Sequence, residues 1–525
     1  MVNVKRIPSL ALIACTLAMV LAMPTAAAAK TPTTTTKPTA TTTTKPKQWP
    51  PLRAFDTSLG WAPCHDGWEC ATLTVPVDWV TKPKAGSVPE DTVPLALVRH
   101  VATDPGARIG ALFINPGGPG EGGAGYIPIV TRRYPAELLA RFDLVSWDPR
   151  GTGGSRPIDC LDDAGMDAIT DPGPAIPLTA EQLAASHADT AALARGCTER
   201  MGSYAGQVGT RNTARDLEAI RIALGEPSIN YVGYSYGTVL GMTYAQMFPK
   251  TIRTMVLDGP PDVWLPTLDY QHTQAVGFRD ALDAFLGWCE QTSTCALRNV
   301  GAPRDVFESL RTSLATTPVA TTYTSDGATR TGTVDEGVLV GAVIASLYDE
   351  RSWPDLGRAL ANATRGDARA LLQISDSRLG RSTDGHWDPT VEANVVISCV
   401  DRPEKPRTDV AELADVLRFQ AEIPPWGGGW AVSGCTGMPK AAKGDALGDV
   451  KVAGTAPILV IGTTGDPATP YSGAVSMLTR VAGSTLLTFE STEHTAFGTA
   501  RSDCIDAVVT RYLVDQTMPA PNTRC

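Results

Sequence analysis

The sequence predicts an α/β fold: a mostly parallel sheet flanked by helices and interrupted by one large, mainly helical insertion. Three observations carry this. With 43% hydrophobic and 19% charged residues, the 525-residue chain has ample material for a sizeable core. From about Thr92 onward, short apolar runs ending in Gly/Asp/Pro-rich turns alternate with helical patterns, the signature of βα units. That rhythm stops near Gly259 and resumes near Ala456, and the stretch between is largely helical in pattern.

Taken in order, the strand candidates are 94–101, 110–118, 142–148, 228–235, 252–259, 456–466 and 484–491. The clearest helix between them is 212–225, where Leu217, Ile220 and Leu224 recur at the spacing of a core-facing stripe. Asp216, Glu218 and Arg221 fall off that stripe and read as a solvated face. Within the insertion, 277–291, 334–350 and 410–422 carry helical patterns, and no internal repeat is present. The expected organisation is an export signal (1–29), a Thr/Pro/Lys-rich spacer (30–48), the first part of the core (49–262), a helical cap (263–450) and the rest of the core (451–525).

The N-terminus has a basic Lys5-Arg6, an apolar run from Leu10 to Met23 and Ala26–Ala29 as an A-x-A cleavage site. The run is too short for a stable membrane span. Leu12-Ile13-Ala14-Cys15 offers a rival reading as a lipobox. Residues 30–48 have almost nothing apolar to bury and suit an extended spacer, either a passive linker or a stalk touching a cell wall.

The formal charge of −10 understates the acidity of the remainder, because Lys5, Arg6, Lys30, Lys37, Lys45 and Lys47 all precede residue 49 and no acid does. Such a surface repels phosphate backbones, so nucleic acid is excluded as a partner. Eleven cysteines occur, and loss of Cys15 with the signal leaves an even set in a compartment that permits disulfides. Sequence does not fix connectivity; nearest neighbours pair as Cys64–Cys70, Cys160–Cys197, Cys289–Cys295, Cys399–Cys435 and Cys504–Cys525. No CxxC pair exists and the six histidines are scattered, so neither a metal nor an organic cofactor is implied.

Gly233-Tyr234-Ser235-Tyr236-Gly237 matches G-x-S-x-G directly after a strand and before a helix. This is where an α/β-hydrolase carries its nucleophile, since a sharp turn lifts the hydroxyl above the sheet and aims it at the helix N-terminus. The loop Gly117-Gly118-Pro119-Gly120-Glu121-Gly122-Gly123 follows an early strand, and missing Cβ atoms let its N–H groups approach a substrate. Gly118 and Tyr236 are therefore the candidate oxyanion donors. A phosphate loop competes weakly, because its Lys-Ser/Thr pair is absent and Glu121 opposes phosphate.

In this fold the triad runs Ser, acid, His along the chain. His494, just after the last strand, fits that order; His65, His100 and His187 precede the serine, and His272 and His386 lie in the cap. Asp466 closes the strand 456–466 and is the leading acid, with Asp258 as its rival; Asp148 reads as a brace for nearby loops.

The stretch 212–262 resembles the secreted tripeptidyl aminopeptidases of actinobacteria, relatives of the proline iminopeptidases. NPGGPG (115–120), DPRGTGGS (148–155), GTTGDPATP (462–470) and EHTAFG (493–498) are similar to that family's other motifs and stand in its order. The resemblance, over roughly 60–510, implies a cap over the site, a C-terminal segment completing the sheet, and release of short peptides from a free N-terminus. Pro116 stands where the iminopeptidase pattern HGGPG has His, a change expected to reshape the mouth of the site while leaving the oxyanion donor intact. An aminopeptidase needs a carboxylate for the substrate ammonium, and Glu121 and Asp401 are the candidate anchors. Similar envelope proteins are described as carboxylesterases or endopeptidases. The alternatives are thus an esterase of the same fold, or a wall-binding protein that kept the scaffold without activity.

Overall fold

The computed structural model describes residues 49–65, 67–81, 91–170, 176–325, 327–442 and 444–525. The expected signal and spacer (1–48), with Cys15, lie outside them.

The main sheet is built from β1 (Ala62–His65), β2 (Trp68–Pro76), β3 (Thr92–His100), β4 (Gly110–Asn115), β5 (Phe142–Trp147), β6 (Ile229–Tyr234) and β7 (Ile252–Asp258). After a separate hairpin, β8 (Val319–Ser325) and β9 (Ala328–Val334), it is completed by β10 (Leu459–Thr463), β11 (Thr485–Phe489) and β12 (Thr523–Arg524). Its ten strands run in the order β1-β2-β3-β5-β4-β6-β7-β10-β11-β12. Everything from β5 to β12 pairs in parallel, while β1, β2 and β3 pair antiparallel and β3 meets β5 antiparallel. This is the α/β-hydrolase architecture.

Residue chemistry accounts for the central strands. Every residue of β4, β5, β6 and β10 is buried, as expected of parallel strands covered by helices on both faces. Alternate residues feed two cores: Phe113, Tyr231, Leu257 and Val460 on one face, and Leu112, Val232, Val256 and Ile461 on the other. The added strand β2 (WECATLTVP) shows the period-two burial of an antiparallel strand, a pattern its sequence carries openly.

One expectation is corrected. The helix Thr210–Ala223 does not turn Asp216 and Glu218 to solvent; both are buried. Asp216 receives the Arg150 guanidinium at 2.7 Å, with both side chains fully shielded, and accepts the Trp79 indole N–H at 2.8 Å. Glu218 accepts from Arg221 and from the Tyr244 hydroxyl. The polar face of this helix is covered by other parts of the chain rather than by water, and paired charges make that burial tolerable.

The insertion leaves the sheet after Asp258 and returns at Leu459, which lies beside Val256 in the parallel register. Departure and return are thus on neighbouring strands. The inserted segment includes the helices Thr267–Gln291, Pro303–Thr316, Glu336–Ser346, Trp353–Ala363, Arg369–Leu379, Thr390–Asp401 and Asp409–Glu422, together with the β8–β9 hairpin. It has a core of its own around Phe278, Phe285, Leu310, Val343, Trp353 and Leu371, and that core also takes in Ala468 from the loop after β10. Residues Trp49–Cys525 accordingly form one compact unit.

Five disulfides join the nearest-neighbour pairs, Cys64–Cys70, Cys160–Cys197, Cys289–Cys295, Cys399–Cys435 and Cys504–Cys525. No helix among the described residues is long and apolar enough to cross a membrane.

Candidate active site

Ser235 sits between β6 and the helix Tyr236–Met247 with φ 53° and ψ −123°, a conformation that L-residues rarely hold. Neighbouring backbone keeps it there. A Cβ at Gly233 would stand 2.4 Å from Gly237 O, and one at Gly237 would stand 2.8 Å from Asn115 O, so only glycine fits either flank. The Ser235 N–H donates to Asp258 O at 2.8 Å, tying the turn to the end of β7. Tyr236 opens the helix, where the first N–H groups have no intrahelical acceptor.

The glycine loop lies directly against this turn. A Cβ on Gly117 would approach Ser235 Cβ to 3.0 Å and Tyr236 N to 3.2 Å. Gly118 and Tyr236, the candidate oxyanion donors, line one cavity with Ser235, the candidate nucleophile. Asp148 braces the neighbouring loops by accepting from Ala124 N and Gly154 N, each at 2.8 Å.

His494 follows β11. Its Nδ1 faces Asp466, 2.9 Å from Oδ1 and 3.0 Å from Oδ2. Asp466 is held by N–H groups of its own turn, Ala468 at 2.9 Å and Thr469 at 2.8 Å, and by the Thr469 hydroxyl at 2.9 Å. The His494 backbone N–H donates to Tyr348 O at 3.0 Å, and the Tyr348 ring stands nearly perpendicular to the imidazole with centroids 5.3 Å apart. With Nδ1 donating to the carboxylate, Nε2 carries the lone pair in the neutral ring, the state a general base requires.

Four strand ends converge here because β6, β7, β10 and β11 are successive neighbours in the sheet. Gly259 shows how closely: a Cβ there would stand 3.0 Å from Thr469 Oγ1 and 3.4 Å from Asp466 Oδ2, one residue beyond the carbonyl that accepts from Ser235 N. No hydrogen bond joins Ser235 Oγ to the His494 ring among the described residues; contacts of this type tighten when substrate binds.

The rival acid has other partners. Asp258 is fully buried, and its carboxylate accepts from Ala496 N and Phe497 N, the latter at 2.8 Å. Burial pushes its carboxyl up to about 7, opposed by those two N–H groups.

The cavity, about 380 Å³, is walled on the side of the inserted segment by Tyr270, Tyr348, Arg378, Asn394, Asp401, Arg402 and Glu404. The Cys399–Cys435 disulfide also lines it. Arg402 lies over the Tyr270 ring and donates to Leu265 O. Glu404 accepts from the Ser433 hydroxyl. Asp401 is buried; its carboxylate accepts from Thr210 N at 2.8 Å, from the Thr210 hydroxyl, and from the Tyr236 hydroxyl at 2.9 Å. Burial raises its carboxyl to about 6. Glu121 is half-buried on the glycine loop, its carboxyl raised by burial with Arg378 opposing, and it does not line this cavity.

Sequence reasoning did not single out Thr469, Tyr348, Asn394 or Glu404. For Thr469 the signal was available, a hydroxyl three residues after a strand-end acid, where it folds back onto the carboxylate. The others come from the insertion, where no motif marks them. Among the described residues, no group of three or more His, Cys, Asp or Glu side chains is arranged to hold a metal ion.

The sequence profile described as TAP-like protein matches residues 423–525. Serine protease Hip1 of Mycobacterium tuberculosis is 35% identical over 485 residues, 89% of this chain and 90% of that protein. Carboxylesterase B of the same organism is 34% identical, over 87% of this chain and 86% of its own. Tripeptidyl aminopeptidase of Streptomyces lividans is 30% identical, over 90% and 87%.

Proposed function

The chain belongs to the tripeptidyl-aminopeptidase-like family of α/β-hydrolase serine hydrolases, and from that premise we propose that it releases short peptides from free N-termini through an acyl-enzyme on Ser235. The observation that carries this is the imidazole of His494 held by Asp466 at the sheet edge that also bears the Ser235 turn.

His494 Nε2 takes the Ser235 proton as Oγ attacks the scissile carbonyl, and the positive charge on the ring is balanced by Asp466. The tetrahedral oxyanion is met by the N–H groups of Gly118 and Tyr236. The imidazolium then protonates the leaving amine, and water, activated by the same ring, hydrolyses the acyl–Ser235 ester.

Tripeptide length requires a carboxylate at a fixed distance from Ser235 to take the substrate ammonium. Asp401, one of the two candidates from sequence, already accepts three hydrogen bonds. Glu404 on the cavity wall and Glu121 on the glycine loop, outside that wall, have more acceptor capacity open. An extracellular or wall-associated site of action belongs to the same proposal; the five disulfides support it.

The test compares a free and an N-acetylated tripeptide p-nitroanilide. Preference for the free amine is expected, and equal turnover would remove amine recognition. Fluorophosphonate labelling is expected in the wild type and lost in Ser235→Ala; absent labelling would favour a non-catalytic scaffold. A second reading, a carboxylesterase, draws on the relative that bears that name. It requires fast p-nitrophenyl ester hydrolysis with peptide amides untouched.

A further inference from the structure

One cap helix touches both halves of the oxyanion hole. Near the N-terminal end of Thr390–Asp401, the Asn394 side-chain amide donates to Pro119 O at 2.8 Å, the carbonyl one residue beyond Gly118. At its C-terminal end, Asp401 accepts the Tyr236 hydroxyl at 2.9 Å, and Tyr236 bears the other donor. Asn394 and Asp401 are about two turns, or about 10 Å, apart along the axis. The packing between them is close. A Cβ on Gly120 would meet Thr390 O at 2.6 Å and Asn394 N at 2.8 Å, so the glycine loop lies against the helix backbone.

The helix itself is pinned. Cys399 is bonded to Cys435, and Glu392, buried, accepts from Cys160 N at 3.1 Å and Leu161 N at 2.9 Å. Thr210 completes the far end, bonded to Asp401 through both its N–H and its hydroxyl, with that hydroxyl also against Tyr236 Oη. Tyr236 is partly buried against the main core, and with its hydroxyl on the buried Asp401 carboxylate its ring is restrained, which ties the first turn of its helix to the end of Thr390–Asp401.

We propose that the helix Thr390–Asp401 sets the geometry of the oxyanion hole, with Asn394 and Asp401 as positioning residues that act through Pro119 on Gly118 and directly on Tyr236. Neither residue touches the reacting atoms. The cap would then do more than admit substrate: it would align donors whose value depends on being aimed at the oxygen before reaction. This rests on the reading of Ser235 as nucleophile, and it assigns Asp401 to catalytic alignment rather than to the substrate ammonium.

The experiment measures kcat and KM for Asp401→Asn, Asn394→Asp, Tyr236→Phe and the double variant Asp401→Asn/Tyr236→Phe. Two substrates are used, a free tripeptide p-nitroanilide and p-nitrophenyl acetate, which has no amine, with inhibition by a peptide boronic acid and thermal melting alongside. Loss of a whole oxyanion donor costs about 10²–10³ in kcat, so misalignment is expected to cost roughly 10-fold per single variant. KM should stay within about 2-fold, with equal losses on both substrates and a parallel loss of boronate affinity. The double variant is expected to be no worse than the poorer single one, because both act on one contact.

A KM rise confined to the free-amine substrate would make Asp401 an ammonium anchor and overturn the proposal. Wild-type kcat in variants with lowered melting temperatures, or additive losses in the double variant, would overturn it as well. Asn394→Asp acts at the opposite end of the helix, so misfolding at Asp401 does not shield the idea. Wild-type protein that fluorophosphonate fails to label would defeat the serine-hydrolase reading and this inference together; labelled wild type with unaltered variants defeats the inference alone.

Discussion

Two aspartates end neighbouring strands, and the chain uses them differently. Asp258 closes β7 and Asp466 follows β10, which pair in parallel, so both carboxylates lie at the same edge of the sheet. Asp466 faces the imidazole and is steadied by Thr469 and its own turn. Asp258 faces backbone, holding Ala496 N and Phe497 N just beyond His494 while its carbonyl accepts from Ser235 N. One carboxylate holds the His494 ring; the other fastens the loop that carries His494 to the turn that carries Ser235. Topological position alone therefore does not decide which acid meets the histidine; in the proposed mechanism the acid is the one whose carboxylate faces the ring.

The largest test of this contrast is Asp466→Asn, which places an amide against Nδ1 and favours the wrong tautomer. We expect kcat to fall about 10⁴-fold with the melting temperature nearly unchanged, and a loss below about 10-fold would end the assignment. Asp258→Ala should show the opposite balance. It leaves two buried N–H groups unpaired, at about 1–3 kcal/mol each, so denaturant melts should report a drop of several kcal/mol. A fully stable variant would contradict the fastening role. Thr469→Val removes a hydroxyl that bridges Asp466 and the ring; about a 10-fold loss of kcat is expected, within the net worth of one or two hydrogen bonds to a charged group.

The smallest effect concerns pH. Burial holds the Asp258 carboxyl at about 7 in the folded chain, against about 3.9 in an unfolded one. Between those values the folded state keeps a proton that the unfolded state has released, so this group's contribution is full below about pH 4 and is lost as pH rises through about 7. Glu392, raised to about 7, and Asp401, raised to about 6, act in the same direction. The wild-type advantage in melting temperature over Asp258→Asn should therefore shrink by a few degrees between pH 5 and pH 7.5. A growing advantage would reverse the sign and remove the argument.

Much of the sheet was legible because its strands are short apolar runs with turn residues at both ends, a pattern that burial on two faces imposes on any sequence. The strand candidates 142–148 and 252–259 match β5 and β7 within a residue at their ends. The antiparallel strands β1 and β2 precede the βα rhythm and are not marked by it, although β2 alternates in period two. The β8–β9 hairpin was hidden for a related reason. Its runs are Thr-rich and half-exposed, without an apolar face to announce a strand, and Asp326-Gly327 was the remaining cue. The helix Thr210–Ala223 is the opposite case: charges off its apolar stripe imply exposure, whereas the fold supplies Arg150, Trp79 and Tyr244 as buried partners.

By itself the sequence determined what local chemistry can encode: a strand-turn-helix serine flanked by glycines that nothing larger can replace, a second glycine loop, and an acid and a histidine in the right chain order. Tertiary structure decided what depends on distance between remote segments. Only there does Asp466 rather than Asp258 meet the imidazole, does Asp401 turn to Tyr236, and does the helix Thr390–Asp401 reach both Pro119 and Tyr236. The physical reason is that a hydrogen bond acts over about 3 Å, whereas the residues that form these contacts lie far apart along the chain, so only their folded proximity selects the partner.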